Sequence, residues 1–256
     1  FPLPFMVISR MLGIPDGDTA QLRDWSHTLA GTLDPIFEVS QAEQAFDAAA
    51  NMSAFLLGVI ADKRVTPGDD LLSALIERAD DGDALTDEEL LDQVRLLFIA
   101  GHETTVNLIG NGTYAILRHP EEHRRLVEDP SLIANAVEEC LRFDPPVQMT
   151  RRITTAPMTF GGHEIDPGEF VMAMTASANR DPDRWGSDAD DFRVDRDGAN
   201  HHLAFGSGVH HCLGAALARM EGQEVIGALV QRYPDIAVDG EPVHNGRVVL
   251  RGMDEL

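Results

Sequence analysis

The sequence has little positive charge, and this shortage narrows the classes of partner. Lys63 is its only lysine, and 20 Lys and Arg residues stand against 43 Asp and Glu residues, for a net charge of -23. Because nucleic-acid backbones and anionic membranes attract basic surfaces, this balance argues against both as partners. Small apolar molecules remain possible ligands.

Cysteines and long apolar runs are also scarce. The 2 cysteines, Cys140 and Cys212, are too few for a disulfide framework and form no Cys-x-x-Cys pair, which favours a reducing, cytoplasmic location. No uninterrupted apolar run of about 20 residues is present, so we predict no membrane span. No basic segment precedes a short apolar one, so we predict no signal peptide.

Helical periodicity, by contrast, runs over most of the 256 residues. The clearest helix starts with a capping box, Thr86 and Glu89, and meets no proline until Pro120, which predicts one helix over 86–118 about 45–50 Å long. Apolar runs separated by glycine turns predict a small sheet over 147–171. The other predicted features are helices over 18–31 (capped by Asp18), 38–64, 120–128, 130–142 and 212–232, solvated or irregular loops over 80–83 and 179–198, and closing strands over 236–238 and 248–251.

A glycine-rich segment over 201–214, HHLAFGSGVHHCLG, carries Cys212 at the point where the last long helical pattern begins. A thiol at a helix N-terminus meets unpaired N–H groups and the positive end of the helix dipole, which favour the metal-binding thiolate. Phe205 can shield the sulfur from water. The plain alternative is a glycine-rich turn around a buried structural cysteine. Glycines let the backbone turn tightly or approach a flat ligand, and those concerned are Gly206, Gly208 and Gly214.

The spacing Phe-Gly-x-Gly-x-His-x-Cys-x-Gly resembles the haem-binding loop of the cytochrome P450 family, the haem-thiolate monooxygenases. The resemblance implies the mainly α P450 fold with a minor β region, and haem b between the long helix and a helix beginning at Cys212, with Cys212 as iron ligand. The implied reaction inserts one oxygen atom of O2 into a small apolar substrate. The implied protein is a monomer of the soluble bacterial type. Its electrons would come from a separate ferredoxin-type partner, since no flavin or nicotinamide fingerprint is present.

The middle of the long helix, Ala-Gly-His-Glu-Thr-Thr over 100–105, resembles the family's oxygen-activation segment. The resemblance implies that Thr104 lies beside the bound oxygen, that Glu103 supplies protons to it, and that Gly101 leaves space for it. The alternative is that the threonines only hydrogen-bond carbonyl groups one turn back. A zinc helix of the His-Glu-x-x-His type is not favoured, because position 106 is valine.

A second motif, Glu139 and Arg142, lies three residues apart on one helix face. Such a pair is common on surfaces, but its order in the chain resembles the Glu-x-x-Arg helix of the same family. The resemblance implies a buried structural network with the irregular 179–198 segment. Either Arg180 or Arg196 could be the third partner.

Further site residues are implied by the resemblance alone. A haem propionate would meet His210 and a second cation, Arg152, although its neighbour Arg151 is an equal candidate. Ala100 would lie beside the cofactor. The residues implied to line the substrate pocket are Leu97, Thr105, Val147 and Met149.

The resemblance covers nearly all of residues 1–256, as a single domain that corresponds to the C-terminal two-thirds of the P450 fold. The N-terminal portion of the family pattern is missing, so we expect a fragment that by itself binds haem weakly or not at all. Two alternatives have other functions: a haem-binding or sensor protein without oxygenase activity, and a haem-free scaffold. The first would keep the cysteine loop but not use Glu103 and Thr104.

Overall fold

The computed structural model describes residues 2–15, 19–35, 38–80 and 85–256. The chain forms two compact units, Phe1–Val106 and Asn107–Leu256, and each is described by itself. The one-domain organisation stays a prediction. The cap predicted at Asp18 and most of the acidic loop, residues 81–83, lie outside the described residues.

The first unit is helical in its described part, as the periodicity predicts. Its core is a cluster of buried apolar side chains, among them Leu12, Leu22, Met52, Leu56 and Phe98. Each helix contributes to this cluster because its apolar positions recur every three to four residues. The helices are α1 (Pro2–Met11), α2 (Thr19–Gly31), α3 (Val39–Val65), α4 (Leu71–Asp80) and the first part of α5 (Asp87–Arg118).

The long helix α5 begins with the predicted capping box. The Thr86 hydroxyl accepts the Glu89 backbone N–H at 3.2 Å, and a Glu89 carboxylate oxygen accepts the Thr86 backbone N–H at 2.8 Å. These two bonds satisfy N–H groups that a helix start otherwise leaves unpaired. The 32-residue helix then continues to Arg118, as the sequence predicts.

By length and composition alone, helix α3 could cross a membrane. Among the described residues, no other helix meets this criterion. The finding rests on length and composition alone, so the absence of a membrane span stays a prediction. A single such helix is weak evidence, because core helices of other proteins pass the same test. Six residues of α3 are buried, including Met52, Leu56 and Ile60, which lie in the core of the first unit.

The second unit packs helices closely around its own core. A Cβ atom at Gly112 of α5 would lie 3.1 Å from both Cys140 Sγ and Ile226 Cδ1, which is tighter than ordinary contact. This glycine therefore lets three helices meet at one point. They are the last part of α5, α7 (Ile133–Phe143) and α10 (Ala215–Arg232); the other helices are α6 (Pro120–Glu128), α8 (Thr175–Ala178) and α9 (Pro182–Trp185).

The β structure of the second unit consists of antiparallel pairs. β1 (Thr150–Ile153) pairs with β4 (Phe170–Ala173), and β2 (Met158–Phe160) pairs with β3 (His163–Ile165). The predicted β region over 147–171 is therefore confirmed, but as two separate pairs.

The closing strands predicted over 236–238 and 248–251 are wrong. The last pair is β5 (Val243–His244) with β6 (Met253–Glu255), and within 248–251 Leu250 makes a single bridge to Val147. Short apolar runs do not determine their own pairing. Here Asn245 closes the connection by donating from its backbone to the Gly252 carbonyl oxygen at 3.1 Å and from its side chain to the Leu250 carbonyl oxygen at 3.0 Å.

Candidate functional site

The Glu139 and Arg142 side chains form a fully buried ion pair on α7. Arg142 Nε and Nη2 donate to the two Glu139 carboxylate oxygens at 2.6 and 2.8 Å, and neither side chain is exposed. The remaining Arg142 donors reach the carbonyl oxygens of Asn179, Ala189 and Asp191 at 2.7–2.9 Å. All five N–H groups of the guanidinium are thus satisfied, which a buried charge requires.

The third partner of this pair is Arg196. Its Nε donates to a Glu139 oxygen at 3.1 Å, and the Arg193 backbone N–H donates to the same oxygen at 2.9 Å. Arg180, the other candidate from the sequence, instead donates to the Phe143 carbonyl oxygen at 2.8 Å and lies 3.7 Å above the Phe143 ring. Below, "the Glu139 network" means Glu139, Arg142 and Arg196.

The helix predicted to begin at Cys212 begins three residues later, at Ala215, with Gly214 as its N-cap. The Cys212 backbone N–H donates back to the Phe205 carbonyl oxygen at 2.9 Å, so Cys212 closes the preceding loop instead of entering the helix. The prediction is therefore wrong on the start of α10. Cys212 still lies immediately before that start.

The loop over 206–214 is built to present the Cys212 thiol. Gly206 and Gly208 have φ angles of +69° and +66°, a left-handed conformation that only glycine adopts without strain. A Cβ atom at Gly214 would lie 3.9 Å from Cys212 Sγ, so the last glycine is next to the sulfur. All residues from 206 to 214 are exposed, and Cys212 is a free thiol.

The chemistry of the available ligands fits haem. Cys140 is buried, and burial raises the pKa of its thiol, so Cys212 is the cysteine that can offer a thiolate. Within the described ranges no group of three or more His, Cys, Asp or Glu residues could hold a metal ion. A single exposed cysteine sulfur suits an iron that carries its other ligands in a macrocycle.

Three residues that sequence reasoning did not assign, Glu138, His202 and Arg219, form a cluster beside Phe205. The Arg219 guanidinium lies 4.5 Å from the centre of the Phe205 ring, and both Arg219 and His202 contact Glu138. His202 is only 7% exposed, although no sequence pattern distinguishes it from the other loop histidines. The available signal was the second glutamate beside Glu139. We call these three residues the Glu138 cluster.

The implied propionate partners lie in the second unit. His210 is exposed and ends the short 3-10 turn Gly208–His210. Arg152 is exposed and donates to Thr150 Oγ1 and to the Arg151 carbonyl oxygen, both at 2.8 Å. Arg151 is its neighbour on strand β1, so the two side chains leave opposite faces of the strand. Which arginine would face a propionate stays a prediction.

The middle of α5, in the first unit, has packing reasons of its own. A Cβ atom at Gly101 would lie 2.8 Å from Ile8 Cδ1 and Cγ1, so this glycine lets α1 approach α5. The Thr104 hydroxyl donates to the Ala100 carbonyl oxygen at 3.1 Å, which is the alternative stated from the sequence. The roles of Gly101 and Thr104 toward dioxygen stay predictions.

Glu103 is 9% exposed and lies between two histidines of the first unit. Its Oε1 is 3.0 Å from His27 Nδ1 on α2, and its Oε2 is 3.7 Å from His102 Nε2. The buried His102 ring also lies 2.9 Å, through Nδ1, from the Phe98 carbonyl oxygen, and burial lowers its pKa. A carboxyl group beside imidazoles can exchange protons, but its role toward Thr104 stays a prediction.

The implied pocket residues belong to both units. Leu97 is partly buried and Thr105 buried in the first unit, while Val147 is partly buried and Met149 buried in the second. Their common pocket stays a prediction. An open cleft of about 480 Å³ lies at the hairpins of the second unit, lined by residues such as Glu164, Glu169 and Phe170, and it contains none of them.

Comparisons with known proteins agree on one fold and one family. A solved structure of ligand-free CYP164A2 from Mycobacterium smegmatis superposes with a TM-score of 0.95 at 39% identity, covering 100% of this chain and 66% of that one. The fold is therefore the mainly helical cytochrome P450 fold. The family model described as cytochrome P450 matches residues 28–244, and the chain belongs to the cytochrome P450 family. The resemblance inferred from the sequence is confirmed.

Curated relatives are bacterial members of that family. Cytochrome P450 monooxygenase PikC of Streptomyces venezuelae is 44% identical over 261 residues, which cover 100% of this chain and 61% of that protein. The vitamin D(3) 25-hydroxylase of Pseudonocardia autotrophica is 42% identical, with 100% and 62% covered. The chain thus spans about three-fifths of the length of these relatives.

Proposed function

We propose that the protein containing this chain is a haem-thiolate monooxygenase that inserts one atom of O2 into a small apolar organic substrate. The observation that carries the proposal is the exposed, free Cys212 thiol on a loop that two left-handed glycines shape and that closes on Phe205. When bound, haem supplies reductive cleavage of dioxygen, which a thiolate ligand favours by donating electron density. Two electrons from a separate ferredoxin-type donor and two protons convert the second oxygen atom into water.

The residues of this chain have separate tasks in that proposal. Cys212 holds the iron, and Phe205 excludes water from the sulfur. With haem bound, the Thr104 hydroxyl would lie beside the dioxygen, and Glu103 would supply protons to it. Residues proposed to bind the cofactor are His210, Arg152 or Arg151, Ala100, Gly206, Gly208 and Gly214; those proposed to contact substrate are Leu97, Thr105, Val147 and Met149, with Gly101 next to the dioxygen position.

The reaction class is tested with labelled oxygen. The haem-loaded protein, supplied with a ferredoxin and its reductase, should place one ¹⁸O atom from ¹⁸O2 in each product molecule. Spectral titrations with terpenoids, fatty acids, macrolides and steroids first identify a ligand. Consumption of electrons with every titrating ligand, but without labelled product, would contradict the proposal.

Two relatives of this chain support an apolar class of substrate, although they do not identify the substrate itself. Relatives include a protein named for 25-hydroxylation of vitamin D3, and P450BioI was solved in complex with an acyl carrier protein ligated to hexadec-9Z-enoic acid (TM-score 0.94, 38% identity). Vitamin D3 and hexadec-9Z-enoic acid are both largely apolar molecules. We propose an apolar substrate, and a cytoplasmic, monomeric protein; size-exclusion chromatography of the haem-loaded form tests the oligomeric state.

A second candidate function is haem binding without oxygenation. It is favoured by the Thr104 hydroxyl bond to the Ala100 carbonyl oxygen and by the contact of Glu103 with His27. Substitution of Thr104 by Ala separates the two functions. An oxygenase should lose product formed per electron consumed, whereas a binding protein has no product to lose and should keep its haem spectrum.

A further inference from the structure

Glu138 and Glu139 are adjacent on α7, yet their side chains serve different parts of the second unit. Glu138 accepts Arg219 Nε at 2.6 Å and Nη2 at 3.2 Å, from helix α10. Its Oε2 also lies 3.0 Å from His202 Nε2, in the segment just before the cysteine loop. Glu138 is 9% exposed, so this cluster joins α7, α10 and the loop approach in a largely buried place.

The protonation of the cluster follows from its hydrogen bonds. The Ala204 backbone N–H donates to His202 Nδ1 at 3.1 Å, so Nδ1 carries no hydrogen and the neutral ring has its hydrogen on Nε2. His202 therefore donates to Glu138. Burial alone would raise the pKa of Glu138, but the hydrogen bonds from His202 and Arg219 outweigh it and hold the pKa below its usual range. The carboxylate stays ionised and Arg219 balances its charge.

Phe205 connects this cluster to the iron ligand. The Arg219 guanidinium lies 4.5 Å from the Phe205 ring centre, and the His202 and Phe205 ring centres are 5.6 Å apart. A cation held over an aromatic face restricts where the ring can lie. The carbonyl oxygen of Phe205 in turn accepts the Cys212 backbone N–H at 2.9 Å. The contacts from Glu138 to Cys212 are therefore continuous.

We propose that Glu138, His202 and Arg219 are positioning residues that hold Phe205 and, through it, set the orientation of the Cys212 thiol. The inference rests on the proposed function only in treating that thiol as the haem ligand. The Glu139 network holds the irregular 179–198 segment. The Glu138 cluster, in contrast, acts on the ligand.

The experiment compares Glu138→Gln and Arg219→Ala with the parent protein in two forms. In the haem-free form, the rate of Cys212 alkylation by iodoacetamide is followed by mass spectrometry, and buried Cys140 reports any unfolding. In the haem-loaded form, the reduced carbon monoxide spectrum and the reduction potential are measured. Arg124→Ala is the matched control, since Arg124 pairs with Glu121 on α6 and both side chains are exposed.

Residues of one hydrogen-bond network usually couple strongly enough to change a rate at least about twofold. We expect both variants to change Cys212 alkylation by that factor while Cys140 stays unreactive, and to lower the fraction with a thiolate-type Soret band. The control should change neither. Unchanged alkylation, spectrum and potential in both variants would overturn the proposal.

Two further results, unfolding of a variant and failure to take up haem, also have a defined interpretation. If Cys140 becomes reactive, the variant is unfolded and Arg219→Lys is measured in its place. Lysine keeps the charge beside Glu138 but lacks the planar group over Phe205. A changed Cys212 rate with Cys140 protected supports the proposal, and an unchanged rate overturns it. If the full-length protein that contains this chain takes up no haem, the proposed function fails, and the alkylation rates alone decide whether these residues position Cys212.

Discussion

Two regions of the second unit differ in almost every physical respect. The Glu139 network is buried, with Glu139 and Arg142 side chains at 0% exposure and all guanidinium donors of Arg142 in hydrogen bonds. The loop over 206–214 is exposed throughout, with Val209 at 98% and Leu213 at 89% exposure. The side chains of the network thus make many hydrogen bonds within the protein, whereas those of the loop face solvent.

This difference separates what holds the fold from what offers chemistry. A buried charge that loses a partner is left without solvation, so the network should be costly to alter. An exposed loop loses few contacts when a side chain changes, so substitutions there should change the free energy of unfolding little. Substitutions can therefore test whether burial or proximity to the ligand decides their effect.

The largest effect is expected at the buried pair. Arg142→Ala removes the buried ion pair with Glu139 and the donors to three carbonyl oxygens, which should cost about 3–5 kcal/mol in the free energy of unfolding. Urea unfolding followed by circular dichroism measures it. The control Arg124→Ala removes an arginine that is 61% exposed and should change stability little. Equal losses in both would remove the basis of the comparison.

A buried carboxyl without partners gives the next effect. Glu221 on α10 is 5% exposed, neither oxygen has a hydrogen-bond partner among the described residues, and burial raises its pKa to about 7. The unfolded group ionises near pH 4.5, so stability should fall as pH rises from about 4.5 to 7 and then level off, by at most about 3 kcal/mol. Glu221→Gln should remove this slope and be more stable at pH 8. Thermal unfolding of both proteins between pH 4.5 and 8 measures this. If Glu221→Gln kept the same dependence of stability on pH as the parent, Glu221 would not be the group responsible.

Gly101 tests whether a residue implied to belong to the site behaves like a buried packing residue. Gly101→Ala should gain helix propensity but press its Cβ against Ile8, for a net cost of about 1–2 kcal/mol. Chemical unfolding measures the change. Combined with Ile8→Ala, the cost should be less than the sum of the two single changes, because the contact is relieved. An additive result would show that Ile8 is not the cause.

The smallest effect on stability is expected at the ligand itself. Cys212→Ser changes one exposed atom, so the free energy of unfolding should stay within about 0.5 kcal/mol of the parent. Differential scanning calorimetry of the haem-free form measures this. A loss as large as that of Arg142→Ala would mean that Cys212 holds the fold and that the two regions are not distinct.

Sequence reasoning reached the features that depend on local spacing. The capping box at Thr86 and Glu89, the pairing distance of Glu139 and Arg142 and the glycine spacing before Cys212 all lie within a few residues of each other. Features that depend on distant contacts were beyond it. The start of α10 is set by the bond from Cys212 to Phe205, and the choice of Arg196 over Arg180 is set by where the irregular segment folds back.

The environments of Gly101 and His202 also depend on contacts between distant parts of the chain, which the sequence pattern does not show. A pattern can mark a glycine as unusual, but the contact with Ile8 joins residues that are far apart in sequence. In the same way, only the fold separates His202, beside Glu138, from the exposed histidines of the loop. The prediction of closing strands over 236–238 and 248–251 failed for the same reason, since strands of two or three residues carry too little local signal to determine their pairing.

The central claim is that the Cys212 thiolate binds haem iron, and the carbon monoxide spectrum of the reduced, haem-loaded protein tests it most directly. The parent should show the Soret position typical of thiolate-ligated haem, and Cys212→Ser should lose that band although it stays folded. A thiolate-type band that persists in Cys212→Ser would contradict the claim, and so would its absence from a parent protein that has taken up haem.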